Sequence, residues 1–161
     1  MSHSSQKTTA SIVAGILLII AYVIYALGES APDPENVKAW AVAMLVFIGI
    51  GAAVTIVVEV LFHVALVVGI AVKEGEQDEK KIERAVSSSM VEDEREKLIG
   101  LKSSHVGYLC AGAGSVAMLA ALASGLPFIP ALHILFGAFA LGSVAEGAAR
   151  VYFYEKGVRN G

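Results

Sequence analysis

The sequence predicts an all-α integral membrane protein: a four-helix bundle with both termini cytoplasmic and a long charged cytoplasmic hairpin between helices 2 and 3. Three observations carry this. The chain of 161 residues is 56% hydrophobic with a mean hydropathy of +0.68, well above the composition of a soluble domain. Its apolar runs reach the length of about 20 residues that a helix needs to cross a bilayer. Its basic residues fall almost entirely in one alternate set of loops, the asymmetry that orients membrane helices.

The first helix is expected over residues 10–28, because Ala10 to Leu27 carries no charge. Lys7, this apolar core and Ala26-Leu27-Gly28 also fit the outline of a secretory signal with a cleavage site. Against that, the run is long for a signal and no soluble domain follows. The outer loop from Gly28 to Asn36 is short, acidic and stiffened by Pro32 and Pro34. The second helix is expected over 37–73, since Ala39 to Val72 is interrupted only by Glu59 and His63. It exceeds what a bilayer requires, so it tilts or projects.

From Ser103 to Ala145 there is no Asp, Glu, Lys or Arg. That stretch is too long for one span, and Ser124-Gly125-Leu126-Pro127-Phe128-Ile129-Pro130 divides it with a tight turn. Helices are expected over 90–124 and 128–155. Ser89-Met90-Val91-Glu92 has the capping-box pattern that starts a helix at Met90. The chain is thus one transmembrane domain, 1–161, with a cytoplasmic loop over 74–102.

Orientation follows from Lys and Arg. Lys7 precedes the first helix. Lys73, Lys80, Lys81, Arg84, Arg95, Lys97 and Lys102 lie between the second and third, and Arg150, Lys156 and Arg159 lie at the end of the chain. Only Lys38 falls in the other set of loops. Tyr25 and Trp40 mark the outer interface, and Tyr108, Tyr152 and Tyr154 the inner one. The protein is expected to be a multi-pass component of the cell (plasma or inner) membrane.

Function points to two carboxylates inside apolar runs, each followed four residues later by a basic side chain: Glu59 with His63, and Glu146 with Arg150. An ionisable group within a span costs about 2.5–3.5 kcal/mol on insertion scales and marks a functional site by default. Counted from the cytoplasmic ends, Glu59 falls near the bilayer middle, His63 one turn nearer the cytosol, and Glu146 in the inner half. His105 enters at the same interface, so Glu59, His63, His105, Glu146 and Arg150 are expected to converge, with Thr55 on the Glu59 face. Gly51-Thr55-Glu59-His63 and Ala138-Gly142-Glu146-Arg150 each form one stripe along a helix.

Several readings of this cluster stand side by side. It is a proton, cation or small-ligand site of transporter-like type, where protonation of a Glu competes with a cation. Or the pairs specify packing only, in a membrane-embedded interaction or regulatory subunit whose working surface is the charged segment 87–102. Or Glu59, His63, His105 and Glu146 hold a transition metal, or His63 and His105 a haem. The spacing lacks the Glu-x-x-His repeat of di-iron bundles, and the cofactor stays unknown. Catalysis has little support: there is no Gly-x-Ser-x-Gly, and Ser143, near Glu146, is the small serine that packing uses. Cys110 stands alone, with no redox signal. Nucleic acid is excluded as a partner, because the basic residues are interleaved with more numerous acidic ones. Gly107-x-x-x-Ala111-x-x-x-Ser115 and Ala138-x-x-x-Gly142 are small-residue stripes that suit close packing and a homo-oligomer.

The segment Val91-Glu92-Asp93-Glu94-Arg95-Glu96-Lys97-Leu98-Ile99-Gly100-Leu101-Lys102, with Gly107-Tyr108 beyond it, resembles a family of small prokaryotic multi-span membrane proteins with an Asp-Glu-Arg motif before a transmembrane helix. The resemblance implies a multi-span membrane protein and no particular activity. Neither Glu59 nor Glu146 falls within it.

Overall fold

A computed structural model describes residues 3–74 and 94–157 and shows an all-helical chain. The four helices are α1 (His3–Leu27), α2 (Val37–Glu74), α3 (Glu94–Ala123) and α4 (Phe128–Lys156). Each is long and apolar enough to cross a membrane. The expected capping box at Ser89–Glu92 lies outside the described residues, as does most of the 74–102 loop; α3 is described from Glu94 onward. At the other end, α1 begins well before Ala10, so Lys7 is a helical residue.

Local chemistry sets the two turns. Asn36 caps α2, its Oδ1 accepting from the Ala39 N–H at 3.0 Å, as short polar side chains do at a helix start. Asp33 Oδ1 accepts from the Glu35 N–H at 2.8 Å, and the Trp40 indole donates to the Asp33 carbonyl at 3.2 Å. The chain between α1 and α2 is thereby tied to the top of α2. α3 ends in a Schellman arrangement: the Leu126 N–H reaches the Ala121 carbonyl and the Gly125 N–H the Leu122 carbonyl, both at 3.0 Å. Gly125 has φ +89°, which a residue without a Cβ adopts freely. Pro127 and Pro130 then stand where the first turn of α4 has no N–H to lose.

Packing is uneven. α4 lies at the centre: it packs most extensively on α3, then on α1, and touches α2 only briefly. α2 leans mainly on α1, and α3 touches neither α1 nor α2 among the described residues. The bundle is therefore open between α2 and α4, with α1 as the floor of the opening. At the end carrying the two turns, this opening is closed by an aromatic cluster. Tyr22 packs against Phe136 with the rings tilted, at 4.4 Å between centroids, and meets Phe47 edge-on at 5.1 Å, while Trp40 meets His133 at 4.6 Å. Tyr22 and Trp40 are buried.

The α3–α4 contact is built on missing side chains. A methyl at Gly114 would overlap the Ala138 methyl, and one at Gly142 would stand 3.1 Å from both Cys110 Cβ and the Gly107 carbonyl. Small residues let backbones approach this closely. The glycines expected to favour oligomers thus serve an interface within the chain, at Gly107, Cys110 and Gly114 in place of the Gly107-Ala111-Ser115 stripe. Ser115 is exposed, its hydroxyl returned to the Ala111 carbonyl at 2.9 Å.

Gly114→Val is expected to destabilise the protein by about 1–3 kcal/mol, the usual cost of overpacking, read as a lower thermal midpoint in detergent. Gly112→Ala, with open space around the new methyl, serves as the control. Equal midpoints for the two variants would contradict this packing.

Candidate functional site

Four charged side chains from three helices meet at the end of the bundle that carries the start of α1 and the end of α4. Lys7 Nζ on α1 donates to Glu59 Oε1 on α2 at 2.8 Å. Glu146 on α4 accepts from the Ser104 hydroxyl of α3 at 2.8 Å through Oε1, and Arg150, one turn on, places Nη2 3.6 Å from the same oxygen. The Arg150 Nε also donates a long bond, 3.4 Å, to Ser103 Oγ. Lys7, Glu59, Glu146 and Arg150 line one cavity of about 350 Å³, within the usual range of small-molecule sites. Ser11, Thr55 and Ser143 add hydroxyl-bearing side chains to its wall.

Local folding explains each placement. Glu146 reaches Ser104 by crossing Gly107, where a Cβ would stand 2.8 Å from its Oε2. Ser103 is fully buried, and its hydroxyl is held by the Ile99 carbonyl at 2.7 Å. Thr55 turns its hydroxyl back to the Gly51 carbonyl at 2.9 Å. α1 is brought against α4 at Gly147, where a Cβ would lie 2.6 Å from Ile12 Cγ1. That approach carries Lys7 to the level of Arg150.

The expected cluster is brought together in part. Glu59, Thr55, Glu146 and Arg150 share the cavity, whereas His63 and His105 are exposed and do not line it. Glu146 and Arg150 form the expected pair along one helix. Glu59 pairs with Lys7 in place of His63. Among the described residues no group of three His, Cys, Asp or Glu is placed to hold a metal ion, so the geometry lends nothing to a site built from Glu59, His63, His105 and Glu146. His133 belongs to the aromatic cluster at the turn end, its Nδ1 2.8 Å from the Ile129 carbonyl. Of the segment 87–102, residues 87–93 lie outside the described residues. Arg95 within it donates to the Tyr154 carbonyl of α4 at 3.4 Å.

The polar residues of the cluster share one level. Measured from the turn end at about 1.5 Å per residue, Lys7, Glu59, Ser104, Glu146 and Arg150 all lie about 27–33 Å down their helices. Glu59 thus stands level with the other polar residues, and α2, with 38 residues, runs on past them.

Sequence reasoning missed Lys7, Ser11, Ser103, Ser104 and Ser143 as members of the site. Lys7 was legible: it stands about as far from the turn between α1 and α2 as Glu59 does, and opposite charges at equal depth are natural partners. The serines carry no such signal, since serine in a small-residue helix is ordinarily a packing residue. No family model matches the chain, and no curated protein and no solved structure is significantly similar to it.

The Lys7–Glu59 pair is partly exposed, with side-chain accessibilities of 41% and 59%, and such pairs contribute about 0–1 kcal/mol. Lys7→Glu and Glu59→Lys should each lower the thermal midpoint, and the double exchange should recover most of the loss. A double variant no better than the sum of the two singles would show that the pair is not coupled.

Proposed function

We infer that this chain is a four-span protein of the plasma (inner) membrane that binds a small cationic or zwitterionic ligand in the charged cleft at the cytoplasmic end of α1, α2 and α4. The observation that carries the reading is the convergence of Lys7, Glu59, Glu146 and Arg150 on one cavity. Charges that served packing alone would seal one another. Here the contacts of Arg150 are long, at 3.4 and 3.6 Å, and the space between the pairs remains open. A guanidinium with spare donors and two carboxylates with spare lone pairs are what a charged ligand requires.

The cytoplasmic assignment of this end rests on the distribution of Lys and Arg. The charged residues lie toward the end with the termini, and the aromatic cluster around Tyr22, Trp40, His133 and Phe136 fills the opposite end. A transporter-like cycle would need that cluster to part.

Thermal shift across pH, with short alkylammonium ions and sodium as probes, tests the ligand reading. Wild type should be stabilised by at least one of them. Glu146→Gln and Glu59→Gln should each weaken the effect about tenfold, since a hydrogen bond to a charged group contributes about 1.5–3 kcal/mol. Shifts that are absent in wild type, or unchanged in both variants, would defeat it. Orientation is tested separately: in a Cys110→Ser background, Ser30→Cys should react with an impermeant maleimide on intact cells and Glu155→Cys only after lysis.

A further inference from the structure

A second cavity, of about 520 Å³, lies between α2 and α4 and is floored by α1. Its wall is apolar, formed by residues such as Leu18, Met44, Phe47 and Phe136. Leu45, Ile48 and Phe139 at its margin are exposed, so it opens sideways, where α2 and α4 diverge. Gly15, Leu18, Gly51 and Ser143 line this cavity and the charged one alike. The two are therefore neighbouring compartments of one amphipathic cleft. Gly15 and Gly51 lie at the junction of the two, where a methyl at Gly51 would stand 3.0 Å from the Leu18 side chain, and Ser143 stands beside it.

We propose that the ligand of this cleft is a membrane lipid whose head carries a phosphate and a primary ammonium, with its head among Lys7, Glu59, Glu146 and Arg150 and an acyl chain in the apolar compartment. The proposal rests on the ligand-binding reading above and names the ligand class. Depth is the first argument. The charged compartment lies one hydrocarbon thickness from the outer turns, level with lipid headgroups of the adjoining leaflet. Such a lipid enters sideways without drawing its head through the apolar layer.

Charge is the second argument. Two cations and two carboxylates sum to zero, which complements a zwitterion better than an anionic or a cationic head. A guanidinium is shaped for phosphate oxygens. The carboxylates accept hydrogen bonds from a primary ammonium, which has three N–H donors, whereas a trimethylammonium has none. Phosphoethanolamine heads are thereby favoured over phosphocholine, and both over phosphoglycerol.

The test is lipid retention by the full-length protein. Delipidated protein is placed in nanodiscs of equimolar dioleoyl phosphatidylethanolamine, phosphatidylcholine and phosphatidylglycerol, re-extracted in mild detergent, and its bound lipid read by native mass spectrometry. Enrichment of phosphatidylethanolamine by about tenfold is expected, the size of one charge-assisted hydrogen bond. Glu146→Gln should reduce that enrichment. Ala140→Leu, which narrows the apolar compartment and lines no part of the charged one, should abolish retention while leaving the thermal shift by water-soluble glycerophosphoethanolamine intact. That retained shift also shows the variant to be folded. Equal retention of all three lipids, or retention unchanged in both variants, would mean annular lipid only and would overturn the proposal. Binding of glycerophosphoethanolamine or alkylammonium without lipid selectivity would overturn the lipid assignment alone, and absence of every one of these signals would remove the ligand reading with it.

Discussion

A charged side chain on an apolar helix has to find a polar partner at its own level, and contacts of that kind join the helices of this protein in two pairs. Lys7 at the foot of α1 meets Glu59 on α2 at 2.8 Å. Glu146 and Arg150 on α4 meet Ser104 and Ser103 on α3. Each contact favours one register of a helix against its neighbour, because a shift of one turn, about 5.4 Å, would leave the ionised group without its partner. The contacts of both hairpins fall at the same level, and the charges of both line one cavity.

The openness of the bundle follows from how unequal its interfaces are. Glycine and alanine draw α3 and α4 into backbone contact, whereas α2 is left leaning on α1 with little purchase on α4. A bundle with equal contacts all round would have filled the space between α2 and α4 with interdigitated side chains. Here the aromatic residues close that space at the turn end alone, and the rest remains a cleft running from bilayer-facing apolar walls to the charged end. In water, such exposed apolar walls would drive association; in a bilayer such walls would face lipid tails.

Much of the fold was legible because its signals are local. The start of α2 at Val37 and of α4 at Phe128 could be read from Asn36 and Pro127, and the break after Ala123 from Gly125. The i, i+4 pairing of Glu146 with Arg150 was legible for the same reason. The partner of Glu59 was not read, because two cations compete for it: His63, one turn away in sequence, and Lys7, distant in sequence but adjacent in space. Only the register of α1 against α2 decides between them. Likewise Gly107 was legible as a small residue, but whether it would admit another chain or the Glu146 side chain depends on which face of α3 turns toward α4.

The sequence by itself determined four long apolar helices, the two turns that join them in pairs, and the presence of ionisable groups that a bilayer does not tolerate without partners. These depend on composition, helix-end chemistry and length, all of which act within a few residues. The tertiary structure decided which charge meets which, that His63 and His105 stand outside the cluster, that the cluster lies at one level of the helices, and that it continues into an apolar cleft. Those outcomes depend on helix register and on the close approach of α3 to α4, set by contacts such as Gly114 with Ala138 and Gly147 with Ile12, between residues far apart in the chain.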